Sequence, residues 1–257
     1  TEAVLSELRG LSAPGDVVID GGNSHFKQTV ARGMALAEDG IHLVDCGTSG
    51  GVFGLTRGYA LMLGGAVAAI GQIAPVLDTL APGIAAAPRT PARDHGPEAP
   101  GEQGWLHCGK SGAGHYVKMV HNGVEYGMMQ AFAEGFAMFA SAQGETVAEE
   151  FRYDFDLPAI AEVWRRGSVV SSWLLDLGAD ALAEDPGLDR YSAQVSDSGE
   201  GRWTIEAAME QRVSVHVLAA ALFARFASRD QDQVGNRFLS ALRNRFGGHP
   251  SLASKRP

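Results

Sequence analysis

The chain has 257 residues with 21 Lys or Arg against 30 Asp or Glu, so its formal net charge is −9. This acidic balance argues against nucleic acid as a partner, although a pocket for a phosphorylated substrate needs only a few local cations. No run of 18 apolar residues predicts a membrane span. Cys46 and Cys108 form no C-x-x-C pair, so we expect no disulfide framework, no metal site and a cytoplasmic location.

The chain begins with Thr1-Glu2-Ala3-Val4-Leu5, which has no initiator Met, no basic region and no apolar signal segment. This stretch resembles the middle of an amphipathic helix. We therefore expect the chain to be a fragment whose beginning is absent.

Short apolar runs alternate with helical patterns as far as Leu80. The first two runs end in glycine-rich turns, at Gly21-Gly22 and at residues 47–51. The predicted strands are Val17–Asp20, Ile41–Asp45 and Tyr59–Leu63, and the predicted helices run from the cap Ser24 to about Glu38 and from about Ala66 to Leu80. This alternation predicts an α/β layer with a largely parallel sheet, whose ligands bind at the carboxyl ends of the strands.

Beyond Leu80 the pattern changes to a loop and then to helices. Residues 81–104 are rich in Pro, Gly and charged residues, which predicts an exposed connection, and residues 105–108 predict a last short strand. A long helix is predicted from about Gly114 to Ala142. Further helices are predicted at about 159–166, 169–184, 204–209 and 213–228. The sequence thus predicts an α/β domain over residues 1–110 and an all-α domain over residues 111–257.

The long helix carries an unusual set of polar side chains. At 100° per residue, five of them fall within an arc of about 140°: Lys118, His121, Asn122, Glu125 and Tyr126. Val117, Val120 and Val124 lie on the adjacent flank, which we expect to face the core. A base, an imidazole, an amide, an acid and a phenol on one face favour a catalytic surface, and a solvated Lys–Glu pair is the alternative.

Three motifs in order give the chain a close resemblance to 6-phosphogluconate dehydrogenase. They are Asp20-Gly21-Gly22-Asn23-Ser24, Ser49-Gly50-Gly51, and the helical segment from Gly114-His115-Tyr116 through Lys118 to Glu125-Tyr126. The tail adds Leu242-Arg243-Asn244-Arg245-Phe246-Gly247-Gly248-His249. The compact helical part resembles the shorter bacterial branch of that family. The resemblance implies that residues 1–110 are the later part of a Rossmann-type NAD(P)-binding domain and that residues 111–257 form the helical dimerisation and substrate domain.

The resemblance implies an oxidative decarboxylation of 6-phospho-D-gluconate to D-ribulose 5-phosphate and CO2, a step of the pentose phosphate pathway and of gluconate utilisation. Lys118 matches the general base that takes the 3-hydroxyl proton while hydride passes to the nicotinamide. Such a base must be neutral, so its pKa must fall through burial or nearby positive charge. Glu125 matches the acid that protonates C1.

The resemblance also implies the binding residues. His121 and Asn122 match partners of the sugar acid, and Asn23 matches the residue between substrate and nicotinamide. The predicted carboxylate contacts are Ser49, Gly50 and Gly51, and the predicted phosphate ligands are Tyr126, Arg243 and His249. Because the tail pair comes from the neighbouring subunit in the family, a homodimer or a dimer of dimers with shared active sites is expected.

The chain also departs from the family pattern. No G-x-G-x-x-G occurs in it, so the main segment that binds NAD or NADP is expected to be absent. The Arg and Lys that longer members have near Ser171 and Ser198 are both replaced by Ser. Arg165, Arg166 and Arg202 are candidates to compensate.

Two other functions stay open from the sequence. A β-hydroxyacid dehydrogenase of the 3-hydroxyisobutyrate type shares a Lys followed four residues later by Asn, but is not expected to have His121, Glu125 or the Arg–His tail. A non-catalytic dimerisation and substrate-binding module fits the expected loss of the cofactor segment. For single residues, Asn23 is also a common turn residue, and Arg243 and His249 are also consistent with ordinary tail charges.

Overall fold

A computed structural model describes residues 1–229 and 234–247 of the chain. The α/β region consists of α1 (Glu2–Arg9), β1 (Val17–Asp20), α2 (Phe26–Ala37), β2 (His42–Ser49), α3 (Gly54–Arg57), β3 (Ala60–Gly64), α4 (Val67–Leu80) and β4 (Trp105–Gly109). The helices that follow are α5 (Ala113–Ser141), α6 (Leu157–Arg165), α7 (Trp173–Glu184), α8 (Glu200–Gln211), α9 (His216–Arg229) and α10 (Val234–Gly247). The predicted fold class, α/β followed by all-α, is confirmed.

The four strands form one sheet in the order β1-β2-β3-β4. β1 pairs with β2 in parallel, with Asp20 beside Asp45, and β3 pairs with β4 in parallel. The central pair, β2 and β3, is antiparallel, so the expectation of a largely parallel sheet was wrong there. The reason is the short connection between Ser49 and Ala60, which holds one 3₁₀ turn and α3 and lacks the length of a crossover.

Helices cover both faces of the sheet. On one face α4 packs its apolar stripe against alternate residues of β2 and β3, giving a core of Val44, Cys46, Leu61, Leu63, Ala69, Ile70, Ile73 and Leu77. On the other face α1 and α2 enclose a smaller cluster of Leu5, Val18, Leu36, Ile41 and Leu43. Because β2 is covered from both sides, residues 43–47 are all buried. The stretch Val67–Ala86 is long and apolar enough to cross a membrane by length and composition alone, and four of its residues in α4 pack in this core.

The start of α2 differs from the prediction. His25, rather than Ser24, precedes the helix as its cap, and the His25 side chain accepts a hydrogen bond from the backbone N–H of Lys27. The Ser24 hydroxyl instead donates to the Asp20 carboxylate at 2.8 Å. Ser24 therefore tightens the turn after β1 and leaves the helix end to its neighbour.

The described residues divide into two compact units, one of residues 1–135 and 198–220 and one of residues 136–197, 221–229 and 234–247. The division falls inside α5 because the first part of that helix packs on the sheet. The predicted domain boundary between residues 110 and 111 therefore does not coincide with the division between the compact units. The two domains stay a prediction. In the second unit, Phe136, Phe139 and Trp164 form a cluster with ring centroids 5.5 to 6.0 Å apart.

Candidate active site

The N-terminal end of α5 is fixed to the centre of the sheet by Asp45. This fully buried carboxylate accepts hydrogen bonds from the backbone N–H groups of Gly112 at 2.7 Å and His115 at 2.9 Å. A negative charge at a helix N-terminus is favourable because it complements the helix dipole. Strand and helix also approach closely: a Cβ on Gly47 would lie 2.3 Å from Cβ of Lys118. The contacts set the height and rotation of α5 over β2.

The inward side of α5 is the polar one. Lys118, Asn122 and Tyr126 are 6, 9 and 7% exposed, whereas Val117 and Val124 on the adjacent flank are 40 and 47% exposed. The expectation that the valine flank faces the core was therefore wrong. The physical reason is that glycines on the same side as Lys118 let the helix lie against the sheet and α8, so this side is the one that packs. A solvated Lys–Glu pair is excluded by the burial of Lys118.

Burial is the main influence on the Lys118 amine and lowers its pKa, because the charged form loses hydration. The carboxylates of Glu125 and Glu200 act in the opposite direction and raise that pKa by a smaller amount. Nζ of Lys118 lies 3.2 Å from Nδ1 of His121. The result is a lysine that reaches its neutral, proton-accepting form more readily than a solvated lysine.

His121 lies at the centre of a polar network. Its Nδ1 is within 3.3 Å of Oδ1 of Asn122 and 3.7 Å of the Glu125 carboxylate, and its Nε2 is 3.4 Å from the Ser49 hydroxyl. Nδ1 cannot accept from Lys118 and donate to Asn122 at the same time, because an imidazole nitrogen donates only when it carries a proton and accepts only when it does not. The network thus connects the Lys118 amine to the Glu125 carboxylate through His121.

A small cavity lies beside Lys118. It is lined by Asn23, Ser24, His115, Lys118, Met119, Glu200 and Trp203. Asn23 reaches it from the turn after β1, which Asp20 holds by accepting from the Gly22 N–H at 3.1 Å and from Ser24. The turn and the helix thus bring a hydrogen-bonding amide and the buried amine to one small space.

Several residues of this site were missed by sequence reasoning. His115 is 2% exposed and lies 2.8 Å from the Thr29 hydroxyl through Nδ1 and 3.1 Å from the Asp20 carbonyl oxygen through Nε2. The signal for it was its spacing, because His115 precedes Lys118 by one helical turn on the same side. Glu200 and Trp203 carry a weaker signal, a charged and an aromatic residue next to the glycines of Gly199-Glu200-Gly201.

The remaining predicted residues are distributed unevenly. Tyr126 is buried in the same compact unit as Lys118, and its hydroxyl oxygen accepts from the Ser198 N–H at 3.4 Å. Gly50 and Gly51 follow Ser49 with φ angles of +132° and +51°, which favour glycine, and a Cβ on Gly51 would meet nothing within 4 Å. Arg243 is exposed on α10 in the second unit. His249 lies outside the described residues.

Two of the three candidate compensating arginines have acidic partners. Arg165 pairs with Asp176 at 2.8 Å and with Glu162 at 3.2 Å, and Arg166 pairs with Glu162 as well. The Ser198 hydroxyl donates a hydrogen bond to Glu200.

Comparison with known proteins agrees with this architecture. A family model described as the NAD binding domain of 6-phosphogluconate dehydrogenase matches residues 1–87, and one described as 6-phosphogluconate dehydrogenase, C-terminal domain, matches residues 114–242. The sheet region with its cofactor-domain match and the helical region with its buried lysine define an NAD(P)-dependent oxidoreductase. The chain is 40% identical over 249 residues to the NAD(+)-dependent, decarboxylating 6-phosphogluconate dehydrogenase of Haloferax volcanii, a match that covers 96% of this chain and 73% of that protein. The chain belongs to the 6-phosphogluconate dehydrogenase family.

Two solved structures share the fold. The 6-phosphogluconate dehydrogenase of Plasmodium falciparum superposes with a TM-score of 0.70 at 24% identity, over 100% of this chain and 50% of that one. A 3-hydroxyisobutyrate dehydrogenase of Mycobacterium tuberculosis gives a TM-score of 0.59 at 18% identity, over 90% of this chain and 71% of that one. The chain thus spans about three quarters of the Haloferax protein and half of the Plasmodium chain.

Proposed function

We propose that the protein oxidises and decarboxylates 6-phospho-D-gluconate to D-ribulose 5-phosphate and CO2 with reduction of NAD(P)+, a reaction of the pentose phosphate pathway and of gluconate utilisation. The observation that carries this proposal is the buried Lys118 amine, which lines a cavity with Asn23 and contacts His121. Membership of the 6-phosphogluconate dehydrogenase family supports the substrate. The predicted location is the cytoplasm.

In the first step Lys118 acts as the general base. The O–H bond of the substrate 3-hydroxyl breaks, and its proton passes to the neutral Nζ while hydride leaves C3. The burial that lowers the pKa of Lys118 supports this role, since the base must enter the step without a proton. The resulting 3-keto acid then loses the C1 carboxylate of the substrate as CO2, and the bonding pair remains on the sugar as an enediolate. The proton that Lys118 took returns to the oxygen on C3, which gives the enediol.

Glu125 is proposed as the acid that protonates the enediol at C1 of the product. It lies one turn beyond His121 and its carboxylate is 37% exposed, so it can regain a proton from solvent. The contact with His121 supports a shared network, in which Lys118 and Glu125 serve opposite ends of one small substrate.

The binding groups are assigned as follows in this proposal. His121 and Asn122 hydrogen-bond the sugar acid. Ser49, Gly50 and Gly51 receive the carboxylate, and the open space at Gly51 supports close approach of an anion to backbone N–H groups. Tyr126, Arg243 and His249 bind the phosphate.

The dinucleotide supplies the hydride acceptor when it is bound. The residues fit one end of it: Asn23 lines the cavity beside Lys118, and Gly21 leaves open space next to the turn, since a Cβ there would meet nothing within 4 Å. Asn23 is therefore proposed to hold the nicotinamide amide near the substrate. Its position beside the general base would order the two reactants before the proton moves.

The test is product formation. The protein is incubated with 6-phosphogluconate and either NAD+ or NADP+, and reduced dinucleotide, CO2 and ribulose 5-phosphate are measured together. Equal amounts of all three support the proposal. Oxidation of 3-hydroxyisobutyrate in place of 6-phosphogluconate would favour the β-hydroxyacid alternative. The fold shared with the Mycobacterium enzyme is compatible with that alternative. Binding of 6-phosphogluconate without turnover of either substrate would favour a non-catalytic module.

We also propose a homodimer, or a dimer of dimers, whose active sites are completed in trans. The exposed apolar flank of α5, with Val117 and Val124, supports an interface there, since such a flank is normally covered. In the test, a Lys118→Met subunit is mixed with an Arg243→Ala subunit. Shared sites restore part of the activity, because one site of a mixed dimer has both residues intact. Activity no higher than that of either parent would reject shared sites.

A further inference from the structure

Glu200 is a buried carboxylate that the roles above leave unassigned. It is the first residue of α8, is 4% exposed, and lines the same cavity as Lys118 and Asn23. An acidic side chain is seldom buried so completely unless its charge interacts with other groups. Its presence beside the amine therefore calls for a chemical role.

The protein holds this carboxylate in place. The Ser198 hydroxyl donates to the Glu200 carboxylate. The Thr204 hydroxyl lies 2.8 Å from two backbone carbonyl oxygens, those of Glu200 and Met119, and is shared between them. Close packing adds to this, because a Cβ on Gly201 would lie 2.7 Å from the Tyr126 ring. The beginning of α8 is thus fixed against α5, and the Glu200 side chain has little freedom to leave the cavity.

The groups around Lys118 differ in their exposure to solvent. On α5, the Glu125 side chain is 37% exposed, so solvent screens its charge, and the His121 side chain is 40% exposed. The His115 ring lines the cavity but contacts Thr29 and Asp20. From the sheet side, Asp45 is occupied by backbone N–H groups of α5 and Asp20 by Gly22 and Ser24. Glu125 and Glu200 both oppose the effect of burial on the pKa of Lys118, Glu125 by the larger amount, and Glu200 is the one of the two that is buried.

We propose that Glu200 is a positioning residue, whose carboxylate stabilises the ammonium that Lys118 becomes when it takes the substrate hydroxyl proton. This inference rests on the proposed function. In the step an O–H bond of the substrate breaks and an N–H bond forms on Lys118, and no proton moves to Glu200. A positive charge that forms in a buried site needs a counter-charge at hand, and Glu200 supplies one that solvent does not weaken.

The test is the pH profile of kcat/KM for 6-phosphogluconate in Glu200→Gln, which keeps the shape and removes the charge. The acidic limb should move to lower pH by at least about half a pH unit, because the Lys118 amine loses a charge that favours its protonated form. The plateau should fall by about 10-fold or more, as expected for loss of electrostatic stabilisation. Glu206→Gln, on the exposed side of the same helix, is the matched control and should leave both unchanged.

The conservative variant Glu200→Asp keeps the charge and should move the limb in the same direction by less. It carries the test alone if Glu200→Gln does not fold. A limb that stays at the wild-type position in the folded variants would overturn the role of Glu200 while leaving the dehydrogenase proposal standing. A wild-type protein that forms no ribulose 5-phosphate would instead overturn the proposed function itself.

Discussion

The two flanks of α5 invert the usual arrangement of a helix in a globular protein. The side against the sheet carries Lys118, Asn122 and Tyr126, all less than 10% exposed, and the side that carries Val117 and Val124 is 40% or more exposed at both. Most helices bury their apolar stripe and expose their polar one. Here the polar side is buried and loses its hydration. Hydrogen bonds within the protein, such as those of His121, replace part of that hydration.

The difference separates two tasks of one helix. The buried side creates a site shielded from water, in which an amine loses its proton more readily and hydrogen bonds are strong. The exposed apolar side contributes nothing to that site and is suited to cover by another protein surface. Further along, α5 changes again to Phe136 and Phe139, which pack on Trp164 as an ordinary apolar core. Chemistry and packing are thus assigned to successive parts of the same element.

The strongest test of the polar side is Lys118→Met, which fills the same space without a base. We expect kcat to fall by about 100-fold or more, as for loss of a general base. Lys110→Met, an exposed lysine just before α5, is the control and should keep full activity. Steady-state kinetics and thermal melting are measured on both. Near-normal turnover in the Lys118 variant would show that the buried amine is not the base.

The second test compares glycines on α5. Gly114→Ala should destabilise the fold by about 1–3 kcal/mol through overpacking, because its Cβ would lie 2.3 Å from the Met62 carbonyl oxygen. Gly135→Ala, where a Cβ meets nothing within 4 Å, should stabilise the helix by about 0.5–1 kcal/mol. Urea unfolding of both variants measures the difference. Equal effects would mean that close approach of α5 to the sheet is not needed.

The third test uses pH. Because the pKa of Lys118 is lower in the fold than its ordinary value of 10.5, the unfolded chain binds more protons between those two values. The free energy of unfolding should therefore rise with pH through that window. Below the window both states bind the proton, and the burial of the charged Lys118 amine lowers the free energy of unfolding by its full amount. Lys118→Met should lack this contribution. Identical pH slopes for the variant and the wild-type protein would contradict a lowered pKa of Lys118 in the fold.

The smallest effect is expected for Ser49→Ala. The hydroxyl lies 3.4 Å from Nε2 of His121, so its loss removes one long hydrogen bond at the edge of the network. We expect kcat/KM to fall by roughly 2- to 10-fold, the range for one net hydrogen bond. Thr48→Ala changes a neighbouring hydroxyl that bonds the Cys46 backbone and serves as the comparison. A 100-fold loss of kcat/KM would mean that Ser49 contributes far more to the reaction than one long hydrogen bond.

Much of the fold followed from local pattern. The run around Leu63 and the helix that contains Lys118 were predicted close to their observed bounds, because their apolar spacing and flanking glycines are local signals. The strand around Val44 was predicted to end at Asp45, but β2 continues to Ser49 because its second half pairs with β3. The polar cluster was also visible, since helical spacing alone brings Lys118, His121 and Glu125 to one side. Helix α10 was not predicted, although its arginines include the proposed phosphate ligand Arg243.

What the sequence could not provide was which partner each side of α5 would meet. Which side of α5 is buried depends on close approach at Gly47 and Gly123. That approach depends on strand and helix positions far apart in the chain. The antiparallel pairing of β2 with β3 is of the same kind, because it depends on the path of a connection. The burial of Glu200 beside Lys118 needed the same non-local information.

The fully buried carboxylate of Asp45 has a consequence for the motions of the protein. Because it accepts from the amides of Gly112 and His115, those two hydrogens can exchange with solvent deuterium only when the start of α5 leaves the sheet. Their exchange rates therefore report how often the platform beneath Lys118 opens. Slow exchange at both amides would show that Lys118 lies on a part of the fold that rarely opens.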